Sequence, residues 1–195
     1  MATSSAWFRL MFWEPAVSNE PQVPELRFCP RCAGKLELRP SGDARLVHPT
    51  CDSCGFVLWQ NRKPCVDALI ARGSGRDSEV LLGRQSDGSG WDLPGNFLNA
   101  TDMIEPALQR ECRREMDIEV EVRELLGAYE DVFRGIAIVT LVYLCRVRTG
   151  EPRPADLIDE VRWFPIVTPP AMASASGQDA VAELRRRLGM LAAPA

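Results

Sequence analysis

The chain has 195 residues, 46% of them hydrophobic and 26% charged, which suits one ordinary domain with a small appendage and excludes a disordered or fibrous protein. Its 23 basic and 27 acidic residues leave a net charge of −4, which argues against wrapping duplex DNA. The most apolar run, residues 135–145, is too short for the roughly 20 residues of a membrane span and reads as a core strand. At the N-terminus, residues 1–25 read as a Pro-punctuated tail (Pro15, Pro21, Pro24), whose Trp7, Phe8, Phe12 and Trp13 are expected to dock on the body or on a second subunit. Arg9 splits this apolar start and Glu14-Pro15 stops it, so it does not read as a cleavable signal, and a cytoplasmic location is expected. Residues 26–62 form a unit around two cysteine pairs, and residues 63–190 a second domain. In that domain strands are expected at 66–72 and 79–84, a Gly/Ser-rich loop at 86–90 and a helix at 104–116, with Pro106 in its first turn. Further strands follow at 118–122, 134–147 and 160–164, and a last helix at 178–188 presents Val181, Leu184 and Leu188. Strands interleaved with two helices indicate an α/β domain with a mixed sheet.

Four of the seven cysteines form the pattern Cys29-Pro30-Arg31-Cys32, an 18-residue gap, then Cys51-Asp52-Ser53-Cys54. Two residues between thiolates let both sulfurs of a turn reach one ion, and four sulfurs close a tetrahedral shell with no open position, so structural zinc is expected. Gly34 and Gly55, just past each pair, would let backbone N–H groups turn toward the sulfurs. Residues 26–64 hold Arg27, Arg31, Lys35, Arg39, Arg45, Arg62 and Lys63 against Glu37, Asp43 and Asp52, a weak basic patch that makes nucleic acid an unlikely partner. Phe28, Phe56 and Trp59 are expected to pack the unit, and His48 to lie in a loop rather than ligate metal. The remaining thiols, Cys65, Cys112 and Cys145, sit in or beside apolar runs and read as buried and inert.

On the helix at 104–116, Ile104, Leu108 and Cys112 define an apolar arc, with Glu111 and Glu115 at its edge and Arg110 and Arg113 pointing away. Two carboxylates side by side against the protein body repel unless a cation lies between them, and oxygen ligands at that spacing suit Mg²⁺ or Mn²⁺. The alternative for the pair is simple ion pairing with Arg114 or Arg110.

The stretch from Trp91-Asp92-Leu93-Pro94-Gly95 through Asp117-Ile118 resembles the Nudix box, G-x5-E-x7-R-E-U-x-E-E-x-G-U, anchored on Arg110-Glu111. Glu160-Val161-Arg162-Trp163-Phe164-Pro165 resembles a late strand of that family, and a four-cysteine ribbon placed before the domain is also a family arrangement. The resemblance implies a Nudix-type α/β/α sandwich with a mixed sheet, preceded by a small zinc ribbon. It implies a metal-dependent hydrolase acting on a nucleoside-diphosphate-linked or related phosphate-containing small molecule, and a possible homodimer. Carried over to this chain, Glu111 would ligate metal and activate water, Glu115 would be a second ligand, and Asp102 a shorter substitute for the first glutamate of the box. Three positions depart further. Arg114 replaces a carboxylate with a permanent cation, whereas Asn96 and Asp117 replace glycines and tolerate left-handed backbone. Arg114 therefore opens a second expectation, a fold retained for nucleotide binding or regulation without cleavage. A ribbon-led nucleic-acid adaptor is the third. The Ser-Gln-Pro-Trp signature of NADH diphosphatases is absent from residues 124–133, so NAD(H) is not supported as substrate. Candidate auxiliary carboxylates are Glu130, Asp131, Asp159 and Glu160, and candidate base-stacking rings are Trp91, Tyr129 and Phe133.

Overall fold

Alternation along the strands sends successive apolar side chains to opposite sides of one sheet, and that alternation builds the layers seen in a computed structural model describing residues 26–41 and 43–191. The aromatic tail and its expected docking lie outside the described residues. The described chain divides into two units, one taking in residues up to 60 together with 132–136, the other 61–131 and 137 onward.

In the first unit β1 (Leu36–Ser41) and β2 (Asp43–Cys51) form an antiparallel hairpin, with Leu36 opposite Cys51 and Arg39 opposite His48. Cys29, Leu36 and Cys51 are buried, with Cys54, Phe56 and Leu58 packed against them. Phe28 and Trp59, expected to pack this unit, are 66% and 58% exposed; the core is too small to cover them. His48 lies in β2 rather than in a loop, its ring 4.6 Å from that of Trp59.

The second unit is built on β3 (Lys63–Arg72), β4 (Glu79–Gln85), β5 (Trp91–Asp92) and β6 (Gly95–Phe97), then helix α1 (Ile104–Met116). There follow β7 (Glu119–Phe133), β8 (Ile136–Thr149), β9 (Ile158–Pro165) and helix α2 (Ala175–Arg187). The sheet order is β5-β4-β3-β8-β7, with β6 added to β3 and β9 to β4. Strand β3 runs parallel to β8 and antiparallel to β4 and β6, so the sheet is mixed. Val66, Ala68 and Ile70 of β3 join Leu108, Cys112 and Met116 of α1 in one core, while Leu69, Val80 and Leu82 join Ala180, Val181 and Leu184 of α2 in the other. Helix, sheet and helix thus form the three layers. Among the described residues no helix is long and apolar enough to cross a membrane.

The strand expected from residue 134 begins later because Arg134 and Gly135 take left-handed backbone (φ 49° and 80°) and make the two-residue turn between β7 and β8. Two consecutive positive φ values match the twist of a hairpin, but an arginine in the first position hides the signal. Helix α2 starts at Ala175 rather than 178 because Ser174 caps it, its hydroxyl accepting a hydrogen bond from Gly177 N at 3.0 Å.

Candidate active site

Helix α1 ends where Asp117 adopts left-handed backbone (φ 54°), a conformation Asp tolerates in place of glycine. Its apolar arc pins the last two turns to the sheet, and this drags Glu111 and Glu115 inside, to 3% and 6% exposure. Both carboxylates meet arginine. Arg114 donates from Nε to Glu111 Oε2 at 2.8 Å and from Nη2 to Glu115 Oε1 at 2.7 Å, and its Nη1 donates to Asp156. Arg110, placed by its helical angle away from the arc, curls back: Nε donates to Glu111 Oε1 at 3.0 Å while Nη1 and Nη2 hold Asp102 at 3.2 and 3.1 Å. A long flexible stem lets an arginine reach a charge its Cα does not face.

Asp102 is brought to this cluster through Arg110, and Asn99 donates to it from both its backbone and its side chain at 3.0 Å. Arg110 and Asn99 hold the Asp102 carboxyl below the usual carboxylate range. Burial alone would raise Glu111, but hydrogen bonds from Arg114, Arg110 and Asn96 hold it below its ordinary value. Glu115 shows the opposite balance: burial pushes it up to about 7, with Arg114 only partly offsetting this.

Sequence reasoning missed three members of the site. Asn96 lies in β6 opposite Val66, outside the positive-φ residues, so its position does not demand glycine; its Nδ2 donates to Glu111 Oε2 at 3.3 Å. Asp156 precedes β9, where Arg153 N and Ala155 N bond back to the last carbonyls of α1, and only this return of the chain brings it to Arg114. Asp67 of β3 lies against Gly95, where an added Cβ would fall 2.0 Å from Asp67 Oδ1 and 2.4 Å from Val66 O, so only glycine fits. Burial, with Asp92, Glu115 and Asp131 nearby, raises Asp67 well above the usual range.

The other sequence candidates have separate engagements. Glu130 pairs with Arg62, Glu160 with Arg84 and Arg162, and Asp131 accepts from Ser176 N. Trp91 packs edge-on against Phe164 at 4.8 Å. Cys65, Cys112 and Cys145 are buried, and burial raises all three thiols. Two cavities of about 220 and 320 Å³ lie near Arg72 and Arg146, at the far end of β3 from Asp67.

The glutamates bear only partly on a divalent ion. Glu111, Glu115 and Asp102 offer six oxygens, of which arginine or asparagine groups engage five. Glu115 Oε2 is the sixth, buried and with no hydrogen bond. One open carboxylate oxygen fits an ion that keeps waters or substrate oxygens as its other ligands.

In the first unit the four cysteine sulfurs lie within 4.8 Å of one another, with Cys29–Cys54 at 3.7 Å and Cys32–Cys51 at 3.5 Å. Tetrahedral arms of about 2.3 Å require edges of about 3.8 Å, so the cluster fits a zinc ribbon. Arg31 N points at Cys29 Sγ (3.4 Å), as expected of such turns. The first turn takes its left-handed residue at Ala33 (φ 60°), not at Gly34. Gly34 is needed for space, since a Cβ there would lie 2.7 Å from Ser53 Oγ and 3.1 Å from Cys51 Sγ.

Comparison with known proteins places this arrangement. The NUDIX domain matches residues 61–184. A MutT-like protein of Streptomyces ambofaciens is 36% identical over 51% of this chain and 61% of its own length. The NAD-capped RNA hydrolase NudC of Deinococcus radiodurans is 28% identical over 72% of this chain, which spans only 49% of that relative. An ADP-ribose pyrophosphatase of Methanocaldococcus jannaschii is 26% identical over 60% of this chain and 70% of its own. Among solved structures, a NUDIX hydrolase from Nitrosomonas europaea superposes with a TM-score of 0.67 at 26% identity, covering 86% of this chain and 96% of its own. The family match spans more than half the chain and includes the sheet, α1 and its buried glutamates: the chain belongs to the Nudix family.

Proposed function

We propose that the chain hydrolyses a diphosphate linkage in a nucleoside-diphosphate-linked or related small molecule, using Mg²⁺ or Mn²⁺ held at the end of α1. The observation that carries this reading is the pair Glu111 and Glu115, buried one helical turn apart. Relatives bearing the names NAD-capped RNA hydrolase and ADP-ribose pyrophosphatase support the same class of substrate. A bound divalent ion supplies charge neutralisation at the phosphates and a better water nucleophile near neutral pH.

The chain's own groups have distinct parts. Glu115, whose Oε2 no side chain claims, would hold the ion. Glu111 orients the attacking water and takes its proton, because Arg110, Arg114 and Asn96 keep it ionised at neutral pH. Asp102 acts at one remove, holding Arg110 against Glu111. The four cysteines would hold zinc as a structural ion, their sulfurs lying close enough together to share one. Mg²⁺-dependent release of a monophosphate from a panel of dinucleotides, nucleotide sugars and nucleoside polyphosphates tests the reading. Glu111→Gln should then lower kcat by about 10² to 10⁴. A panel left intact with both Mg²⁺ and Mn²⁺ defeats it.

The occupation of five ligand oxygens by arginine and asparagine favours a second reading, a module that binds a nucleotide without cleaving it. Its signature is ligand-dependent thermal stabilisation with no product.

A further inference from the structure

Arg114 stands where the resembled motif has a glutamate, and its surroundings are built to keep it there. Its guanidinium is tied to Glu111, Glu115 and Asp156, the first two of which are almost wholly buried. The third lies on the segment that bonds back to α1 through Ala155 N and Glu115 O at 3.1 Å. Of the five N–H donors that a guanidinium carries, these contacts leave one on Nη1. The side chain as a whole remains 35% exposed. A planar fork with a free donor, fixed by carboxylates behind it, is the form in which arginine meets phosphate oxygens.

Two features bear on how many ions such a site would accept. The linked network contains four carboxylates (Asp102, Glu111, Glu115, Asp156) and two guanidinia (Arg110, Arg114), leaving −4 + 2 = −2 when all are ionised. That residue of charge balances a single divalent ion. Separately, Glu115 Oε2 is the one buried, unpartnered oxygen of the cluster, which again provides for one. In Arg114→Glu, five carboxylates would face Arg110 alone, −5 + 1 = −4, enough for two.

We propose that this site binds one divalent ion, and that the Arg114 guanidinium, steered by Asp156, contacts the substrate diphosphate and supplies the positive charge that a second ion would otherwise bring. The proposal rests on the reading of the site as a diphosphate site, but its test does not require turnover. The full-length, zinc-loaded chain is titrated with Mn²⁺ and bound ions are counted by electron paramagnetic resonance. Binding of inorganic pyrophosphate, the probe, is then followed by calorimetry at saturating Mn²⁺. Wild type and Arg114→Lys should each take one Mn²⁺ outside the cysteine cluster, and Arg114→Glu two. Arg114→Gln should keep one Mn²⁺ and bind pyrophosphate about tenfold or more weakly, the loss expected for a charge-assisted contact. Two ions in the wild type, an unchanged count in Arg114→Glu with an unchanged melting temperature, or undiminished pyrophosphate binding in Arg114→Gln overturns the proposal. If the counts shift as stated but no diphosphate is ever cleaved, the hydrolase reading falls and the ion count stands. Cleavage by a wild type holding two ions gives the reverse.

Discussion

In the cysteine ribbon, sulfurs approach to 3.5 and 3.7 Å with other thiols and backbone N–H groups as their contacts, whereas the buried carboxylates of α1 meet guanidinia at 2.6 to 3.0 Å. Both are crowded sets of candidate ligands whose negative charges repel one another when all are ionised. The Gly34 N–H favours the Cys32 thiolate, yet the neighbouring thiols push Cys32 up to about 12; burial opposes charge on Cys51, yet the Cys54 and Ser53 N–H groups bring it down to about 7. So Cys32 and Cys51 do not ionise together without a metal. Of the glutamates, Glu111 is held ionised by counter-ions encoded in the chain, whereas burial keeps Glu115 partly protonated near neutral pH. The thiol cluster thus lacks a counter-ion within the chain, whereas the carboxylate cluster carries its own in Arg110 and Arg114.

The largest expected effect follows from the ribbon. Its core comprises Cys29, Leu36 and Cys51 with Phe56 and Leu58 alongside, too little apolar surface to fold a segment of this length alone. Structural zinc in such units contributes about 10–16 kcal/mol. Stripping the metal, or Cys29→Ser, should therefore abolish amide-exchange protection in β1 and β2. Protection that survives chelation would show that the thiols are not what holds this unit.

Arg114→Met should have the next largest effect, because it leaves Glu111 and Glu115 buried without their common counter-ion. Breaking a buried pair costs about 3 kcal/mol at the low end of the usual range, the appropriate end for a guanidinium one-third open to solvent. Urea unfolding of the zinc-loaded protein without Mg²⁺ or Mn²⁺ measures it, and added Mn²⁺ should recover part of the loss. An unchanged midpoint would mean that the arginine does not stabilise the glutamates.

How much of this was legible beforehand depended on whether the signal was local. Spacing alone marked the cysteine cluster, and the apolar arc of Ile104, Leu108 and Cys112 placed α1 at its observed bounds. The α/β class with a mixed sheet followed from strands interleaved with helices, and the α/β/α layering from the resemblance to the Nudix box. By contrast, Asp156 reaches Arg114 across 42 residues, and Asn96 reaches Glu111 across 15. Neither contact has a period or a spacing to announce it. Arg110 was misplaced for a different reason: helical angle fixes where a Cβ points, not where a long side chain ends. Gly34 was read for its N–H, which does serve Cys32, but it also needs room beside Ser53 and Cys51, a contact made only after the two cysteine turns come together.

The glutamates also carry a pH signature. Glu115, raised to about 7, holds a proton in the folded chain that the unfolded chain releases near the ordinary value of 4.5. Stability of the protein without Mg²⁺ or Mn²⁺ should thus fall as pH rises from about 5 to about 7, by on the order of 2 kcal/mol at roughly 1.4 kcal/mol per unit. Glu111, held below its ordinary value, acts in the opposite sense and at lower pH, losing its contribution as the medium becomes more acidic. Glu115→Gln should remove the decline between pH 5 and 7 and leave the acid limb in place. A decline of the same size in that variant would assign it to another group.

The smallest effect returns to the ribbon, where the same kind of arginine–carboxylate contact occurs in a different medium. Arg39 grips Asp52 with two hydrogen bonds of 2.6 Å, geometry as good as that of Arg114 on Glu111, yet both side chains are about half exposed (49% and 51%). Water already solvates both charges there, so the pair gains little over its separated partners. Asp52→Asn should leave the melting temperature of the zinc-loaded protein unchanged within error, although Asp52 adjoins the ligand Cys51. A fall approaching that of Arg114→Met would mean that bonding geometry, rather than burial, sets the worth of an arginine clamp in this chain.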